Sequence, residues 1–231
     1  MITSQIKRLY CNLTSAERKV ASYVIESPQE ITSLTVHQLA ENARLLHLRS
    51  FNSGMYTLQD TLDKLDFTKV EEMSKVLVQA KHIFLFGIGT SSTVVTDAQY
   101  RLSQLGLWAT ACTDILLMGV TAANLEKGDV VLAISHSGRT KAVIDAVRLA
   151  KKKGATVIAI TSFTDSLLYQ ESDVAATVFA DEVTYPVEAV SARVAHICLV
   201  DSLAMLLAAH NYDSFADHIK SRNDVLEGIR Y

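Results

Sequence analysis

Proline is almost absent from this chain: Pro28 and Pro186 are the only two in 231 residues, and glycine is sparse at nine. Disordered or linker-rich chains carry far more of both, and a collagen-like chain needs glycine at every third position, so these architectures are excluded. Cysteine is just as scarce. Cys11, Cys112 and Cys198 are odd in number and far apart, which is no disulfide framework. Two of them sit in apolar stretches, marking them as reduced core residues and the expected compartment as cytoplasmic. No apolar run reaches the roughly 18 residues that a membrane span needs, and the opening MITSQIKRLYCNLTSAERK has no apolar signal core. A membrane is not among the expected partners.

What is present suits one sizeable domain with a small appendage: 49% of residues are hydrophobic and the net charge is −3. Residues 1–50 hold six Lys/Arg against four Asp/Glu, and the remainder sixteen against twenty-one. An excess of two positive charges is ordinary on a solvated helical face and does not by itself select nucleic acid.

Helical spacing opens the chain. LTSAERKVASYVIES offers Thr14 or Ser15 as a cap, Glu17 as the capping-box partner, and Val20, Tyr23 and Val24 on one face. Pro28 ends that helix, and SLTVHQLAENA starts another with Ser33 or Thr35 as cap and Val36, Leu39, Ala40 and Ala43 inward. FNSG, residues 51–54, reads as a break, and helical spacing resumes at Leu58, Leu62, Leu65, Val70, Met73 and Leu77. From Lys81 onward strand and helix alternate. Apolar strands are predicted at 82–87, 107–112, 129–134, 156–161 and 174–179, separated by helical runs at 91–106, 115–126 and 141–154. This is the βαβ signature, and strands apolar on both faces need helices on both sides. The predicted fold class is α/β: a five-stranded parallel sheet flanked by helices, preceded by a small all-α segment. A last helix at 187–210 is apolar nearly all round and is expected to be buried against the sheet.

In a parallel sheet, ligands bind where strands end and helices begin. Two such junctions are unusual: GIGTSS at 87–92 and SHSGRT at 135–140. Unpaired backbone N–H groups and the helix dipole favour an anion there, glycine lets the backbone come close, and hydroxyls donate without bulk. An ordinary N-cap needs one hydroxyl. Here Ser135, Ser137 and Thr140 give three within one turn, and Ser91 and Ser92 repeat the arrangement. Arg139, the one fixed charge in its loop, is expected to point to solvent, leaving dipoles to hold a phosphate. A dinucleotide fingerprint would use Gly87, Gly89 and Asp114, but Ser92 stands where its third glycine belongs and SHSGRT is left without a purpose. A Walker loop is excluded because no Gly-Lys-Ser/Thr is present. No cofactor is expected.

GIGTSS, followed by DVVLAISHSGRTKAVIDAVRLAKKKGATVIAIT, resembles the SIS (sugar isomerase) domain, a flavodoxin-like three-layer fold whose members bind phosphosugars. The likeness covers about residues 68–210. It implies that Gly89, Ser91, Ser92, Ser135, Ser137, Gly138 and Thr140 hold the phosphate, and that Glu188, Ser191 and Arg193 at the start of the last helix face the sugar. Upstream, LTSAERKVASYVIESPQEITSLTVHQLAENA resembles the helix-turn-helix of RpiR-type transcriptional regulators, and ARVAHICLVDSLAMLL at 192–207 is similar to their buried helix. The implied organisation is an incomplete helix-turn-helix-like segment at 1–50, a linker or helix at 51–67 and a SIS domain at 68–231. The implied function is a phosphosugar-sensing regulator with a sugar-phosphate effector, DNA as a further partner, and homodimeric or homotetrameric assembly.

One departure bears on DNA. After LAENA the family places a recognition helix, whereas here LAENARLLHLRSFNSGMYTLQD runs almost directly toward the SIS domain. A helix-turn-helix reads bases with that second helix, and without it only weak backbone contacts remain. The alternative is a ketose-aldose isomerase, which needs a base such as Glu188, His196 or His136. Simple SIS isomerases carry a glutamate near the position of Ala192, so no catalytic residue is assigned. His196 reads as a core or interface histidine, and Arg193 and Asp201 on the same helix need partners that a subunit interface would supply. The seven histidines lack metal-ligand spacing, no cysteines pair for zinc, and no Ser-His-Asp order stands out. Lys151 to Lys153 close a helix before Gly154, as its dipole favours.

Overall fold

Six consecutive apolar or small residues, Val130–Ser135, form strand β3, and every one is buried. They lie at the middle of the sheet in a computed structural model that describes residues 6, 10, 13–26, 35, 38, 46–180 and 190–229. The chain divides into two compact units, Met1–Met55 and Tyr56–Tyr231. In the first, helix α1 (Ser15–Glu26) starts with the expected capping box. Thr14 Oγ1 accepts from the Glu17 N–H at 3.3 Å, while the Glu17 carboxylate accepts from the Thr14 N–H at 2.7 Å. These bonds hold the Glu17 carboxyl below the usual carboxylate range. Thr35 and Gln38 repeat the exchange. The inward residues expected of the second helix lie outside the described residues, as does Cys11.

The break expected at FNSG is absent: helix α2 (Leu46–Lys64) runs through it. A helical glycine costs about 1 kcal/mol, and the helix is anchored beyond it. Leu58 packs on the core, and Thr61 Oγ1 both accepts from the Phe179 N–H at 3.0 Å and donates to the Phe179 carbonyl at 3.3 Å.

The second unit continues with α3 (Phe67–Val78), β1 (Ile83–Phe86), α4 (Ser91–Ser103), β2 (Ala109–Cys112), α5 (Ile115–Ala123) and β3. It ends with α6 (Lys141–Lys152), β4 (Thr156–Thr161), α7 (Leu167–Glu171), β5 (Val174–Thr177), α8 (Val190–His210) and α9 (Tyr212–Gly228). The five strands are all parallel, in the order β2-β1-β3-β4-β5. Period-two alternation sorts their side chains onto two faces. Leu85, Leu132, Ile134, Ile158 and Ile160 join α3, α4 and α8 in one core. Phe86, Val131, Ala133, Val157 and Ala159 join α5, α6 and α7 in the other.

Helix α8 is buried against the sheet as expected, but along one face only. Ala192, Ala195, Leu199, Leu203 and Leu207 form its buried stripe, but Met205 is 73% exposed and Val194 is exposed too. It is long and apolar enough to cross a membrane, yet this stripe lies in the core beside the sheet. Cys198, expected in the core, is exposed on α8, whereas Cys112 is buried as expected. Asp201 finds its partner within the chain rather than across an interface, 2.8 Å from Arg101 on α4.

Where a side chain caps a helix here, the structure uses it openly. Asp114 accepts from the N–H groups of Leu116 and Leu117, both at 2.9 Å. Asp114→Ala is expected to cost about 1 kcal/mol in a urea melt without moving the sheet.

Candidate functional site

The strand order decides which loops meet. From β1 the chain turns through α4 to β2 on one side, while β3 lies on the other side of β1, so β1 and β3 flank the point where the winding reverses. A crevice opens outside the carboxyl ends of the strands at such a point. The two loops that leave these neighbouring strands are GIGTSS and SHSGRT, which brings the residues singled out in each to one edge of the sheet.

In the first loop, close approach requires glycine at position 87. A Cβ there would stand 2.6 Å from Val95 Cγ2 and 3.0 Å from the Ile134 carbonyl oxygen of β3. Gly89, with φ +62°, faces open space. Ser91 is buried at the first turn of α4, and the Ser92 hydroxyl donates to the Gly89 carbonyl at 2.7 Å. Thr90 stands at the N-cap but its side chain makes no cap hydrogen bond.

The second loop has the same property: Thr140 is the N-cap of α6, again without a side-chain cap bond. Its hydroxyl lies 3.4 Å from Ser135 Oγ, which accepts from the Gly138 N–H at 3.2 Å. Ser137 Oγ accepts from the Arg139 N–H at 3.3 Å. Arg139 does point outward, where it pairs with Asp165 at 3.4 Å. Neither helix spends its junction hydroxyls on an ordinary cap, in contrast to Asp66, Asp114 and Ser166, which each cap their own helix.

Sequence reasoning missed what holds the second loop in place. TSFTDS, residues 161–166 at the end of β4, is a third run of hydroxyls, of which Thr161, Ser162 and Ser166 face the loop while Thr164 is exposed. Thr161 Oγ1 donates to the His136 carbonyl at 3.2 Å, the Ser162 N–H donates to the same oxygen at 3.0 Å, and the Leu168 N–H donates to the Gly138 carbonyl at 3.0 Å. His136 Nδ1 lies 2.8 Å from Ser162 Oγ. The density of hydroxyls was the available signal; that these serve the neighbouring loop depends on the β3–β4 pairing.

Of the residues expected to face a sugar, Glu188 lies outside the described residues. Ser191 is buried in the first turn of α8 and Arg193 is exposed. Among the described residues no three His, Cys, Asp or Glu side chains are arranged to hold a metal ion.

His196 is the perturbed group nearby. It is buried on α8, and desolvation, with a smaller contribution from His136, lowers its pKa to about 3. In the unfolded chain the imidazole regains its ordinary pKa of 6.5, so the unfolded state takes up the proton first. This contribution to stability is complete above pH 6.5 and is lost as pH falls toward 3. Relative to His196→Gln, the wild type is expected to lose about 2 kcal/mol between pH 7 and pH 5. Parallel stability profiles in urea would show that His196 reaches water in the folded state.

Comparison with known proteins places both loops within one family segment. The SIS domain family matches residues 76–206. An uncharacterized HTH-type transcriptional regulator of Caldanaerobacter subterraneus is 25% identical, over 97% of this chain and 96% of its own length. The HTH-type transcriptional regulator HexR of Escherichia coli is 32% identical over 78% of this chain, and the matched region spans 62% of HexR. In three dimensions the Vibrio vulnificus NanR protein, solved in complex with ManNAc-6P, matches with a TM-score of 0.73 and 24% identity, covering 100% of this chain and 99% of that one. With its family segment carrying both hydroxyl loops and relatives that include the regulators HexR and RpiR, this chain belongs to the SIS-domain family.

Proposed function

We propose that this chain is a phosphosugar-sensing transcriptional regulator of the RpiR type, with Gly89, Ser91, Ser92, Ser135, Ser137, Gly138 and Thr140 holding the phosphate. One observation carries the reading: two adjacent junctions at the reversal of the sheet present hydroxyls that cap neither helix. Two helix N-termini and their dipoles then supply the field for an anion, while Arg139, the fixed charge of the second loop, pairs outward with Asp165. The names of the relatives support a regulator, and the ManNAc-6P bound by NanR supports the ligand class. A phosphosugar shifts a regulator between states only through its different affinity for each. Self-association and a cytoplasmic location belong to the same reading, the former supported by exposed Leu62, Phe67 and Met205.

Binding rather than turnover is the reading because a general base works best with a pKa near the operating pH, and His196 is far below it. DNA contact is the weaker half. The alignment with the Caldanaerobacter relative runs over 272 positions against the 231 residues of this chain, which leaves at least 41 positions unmatched. A missing recognition helix is consistent with that surplus, and a gel shift on the upstream region of its own gene would keep no band in moderate salt if the helix is lost.

Phosphorus NMR of the protein with a panel of pentose, hexose and amino-sugar phosphates, followed for hours, tests the main reading. Broadening of one ligand's signal without product is expected. New product resonances would make the chain an isomerase, and unchanged signals throughout would remove the phosphosugar.

A further inference from the structure

His196 is the buried polar side chain for which the site above has no use. It is 2% exposed, and its Nε2 has no hydrogen-bond partner among the described residues. Such atoms are uncommon, because nothing compensates their removal from water. What faces this one is a second imidazole. The rings of His196 and His136 are 6.4 Å apart between centroids and inclined at 71°. His136 stands between Ser135 and Ser137 in the SHSGRT loop, with its Nδ1 beside Ser162 and its carbonyl tied to β4. Helix α8, which carries His196, packs along α4, and the first turn of α4 belongs to the other hydroxyl loop. An imidazole pair therefore joins one loop to the helix that packs on the other.

We propose that His196 is a positioning residue for the phosphate loop: when an anion engages Ser135–Thr140, the His136 imidazole donates a hydrogen bond to His196 Nε2 and so passes ligand occupancy to α8. This rests on the phosphosugar reading given above. The required movement is small. Two imidazoles joined by a linear N–H···N bond of about 2.9 Å have centroids roughly 5 Å apart, so a shift on the order of 1 Å closes the pair. The chemistry also matches, since one neutral imidazole supplies the N–H and the other the lone pair, and burial keeps His196 neutral.

The test uses the full chain labelled with nitrogen-15, inorganic phosphate and the same panel of pentose, hexose and amino-sugar phosphates, ManNAc-6P among them, as probes, and two sets of signals. The amides of Ser137 to Thr140 report loop occupancy, and the ring nitrogens of His196, assigned by their loss in His196→Leu, report the new bond. Movement of both sets is expected. Amides that move while His196 Nε2 stays still would overturn the inference and leave the phosphosugar reading standing; if neither set moves, both are overturned. In binding assays His196→Leu should weaken the phosphosugar of that panel that moves the loop amides about tenfold and His196→Gln, which keeps a polar group there, no more than about threefold. Wild-type affinity in the leucine variant would also overturn it.

Discussion

Ser137→Ala and Thr140→Val each bind a phosphosugar ten- to a hundredfold more weakly, and the double variant shows no binding by phosphorus NMR, while all three unfold close to the wild-type midpoint. This is the expected result if the junction hydroxyls hold the phosphate as proposed, because a hydrogen bond to a charged group contributes roughly 1.5–3 kcal/mol. The prediction of an intact fold is the sharper half. Thr140 makes no cap bond, and the Ser137 hydroxyl accepts only the long bond from the Arg139 N–H among the described residues. Losing such contacts on a partly exposed loop should change stability by less than about 0.5 kcal/mol. Undiminished binding in both single variants would sink the site assignment, whereas a large loss of stability would mean that the hydroxyls are structural.

Gly138→Ala is expected to damage fold and site together. Gly138 has φ +58°, and a Cβ there would sit 2.3 Å from Ser166 Oγ, 2.5 Å from Ser166 Cβ and 2.7 Å from Thr161 Oγ1. Neither neighbour has room to yield: both are fully buried, Ser166 Oγ accepts from the Tyr169 N–H, and Thr161 Oγ1 holds the His136 carbonyl. The left-handed backbone costs a side chain about 1–2 kcal/mol and overpacking a further 1–3, so a loss of about 3 kcal/mol should appear in urea unfolding, together with loss of phosphosugar binding. Gly89→Ala is the control. It shares the positive φ but meets nothing within 4 Å, so only the backbone cost of about 1 kcal/mol applies. Equal losses in the two variants would show that close packing against Ser166 is not what requires glycine at 138.

How much of this was legible in the residues depends on the range of the physics. The strands were, because an apolar run bounded by turns records burial on both faces, and all five predicted runs coincide with β1 to β5 within two residues at their ends. The capping exchange of Thr14 and Glu17 was also legible, being settled three residues apart. FNSG was misread because its local propensities favour a break, while the part of α2 that follows it is held from far along the chain, Thr61 by hydrogen bonds with Phe179, more than a hundred residues away. Asp201 and Cys198 were misplaced for a related reason: on a helix apolar nearly all round, periodicity does not say which face meets the sheet.

The sequence by itself determined the alternation of strand and helix, the two hydroxyl-rich junctions and the family they resemble, since each is written in residue types at short spacing. Only the tertiary structure decided that β1 and β3 are neighbours, that Thr161, Ser162 and Ser166 support the SHSGRT loop instead of forming a third one, and that His136 meets His196. Strand order and helix docking are long-range choices, made by the burial of whole faces, and no local pattern of residues records them.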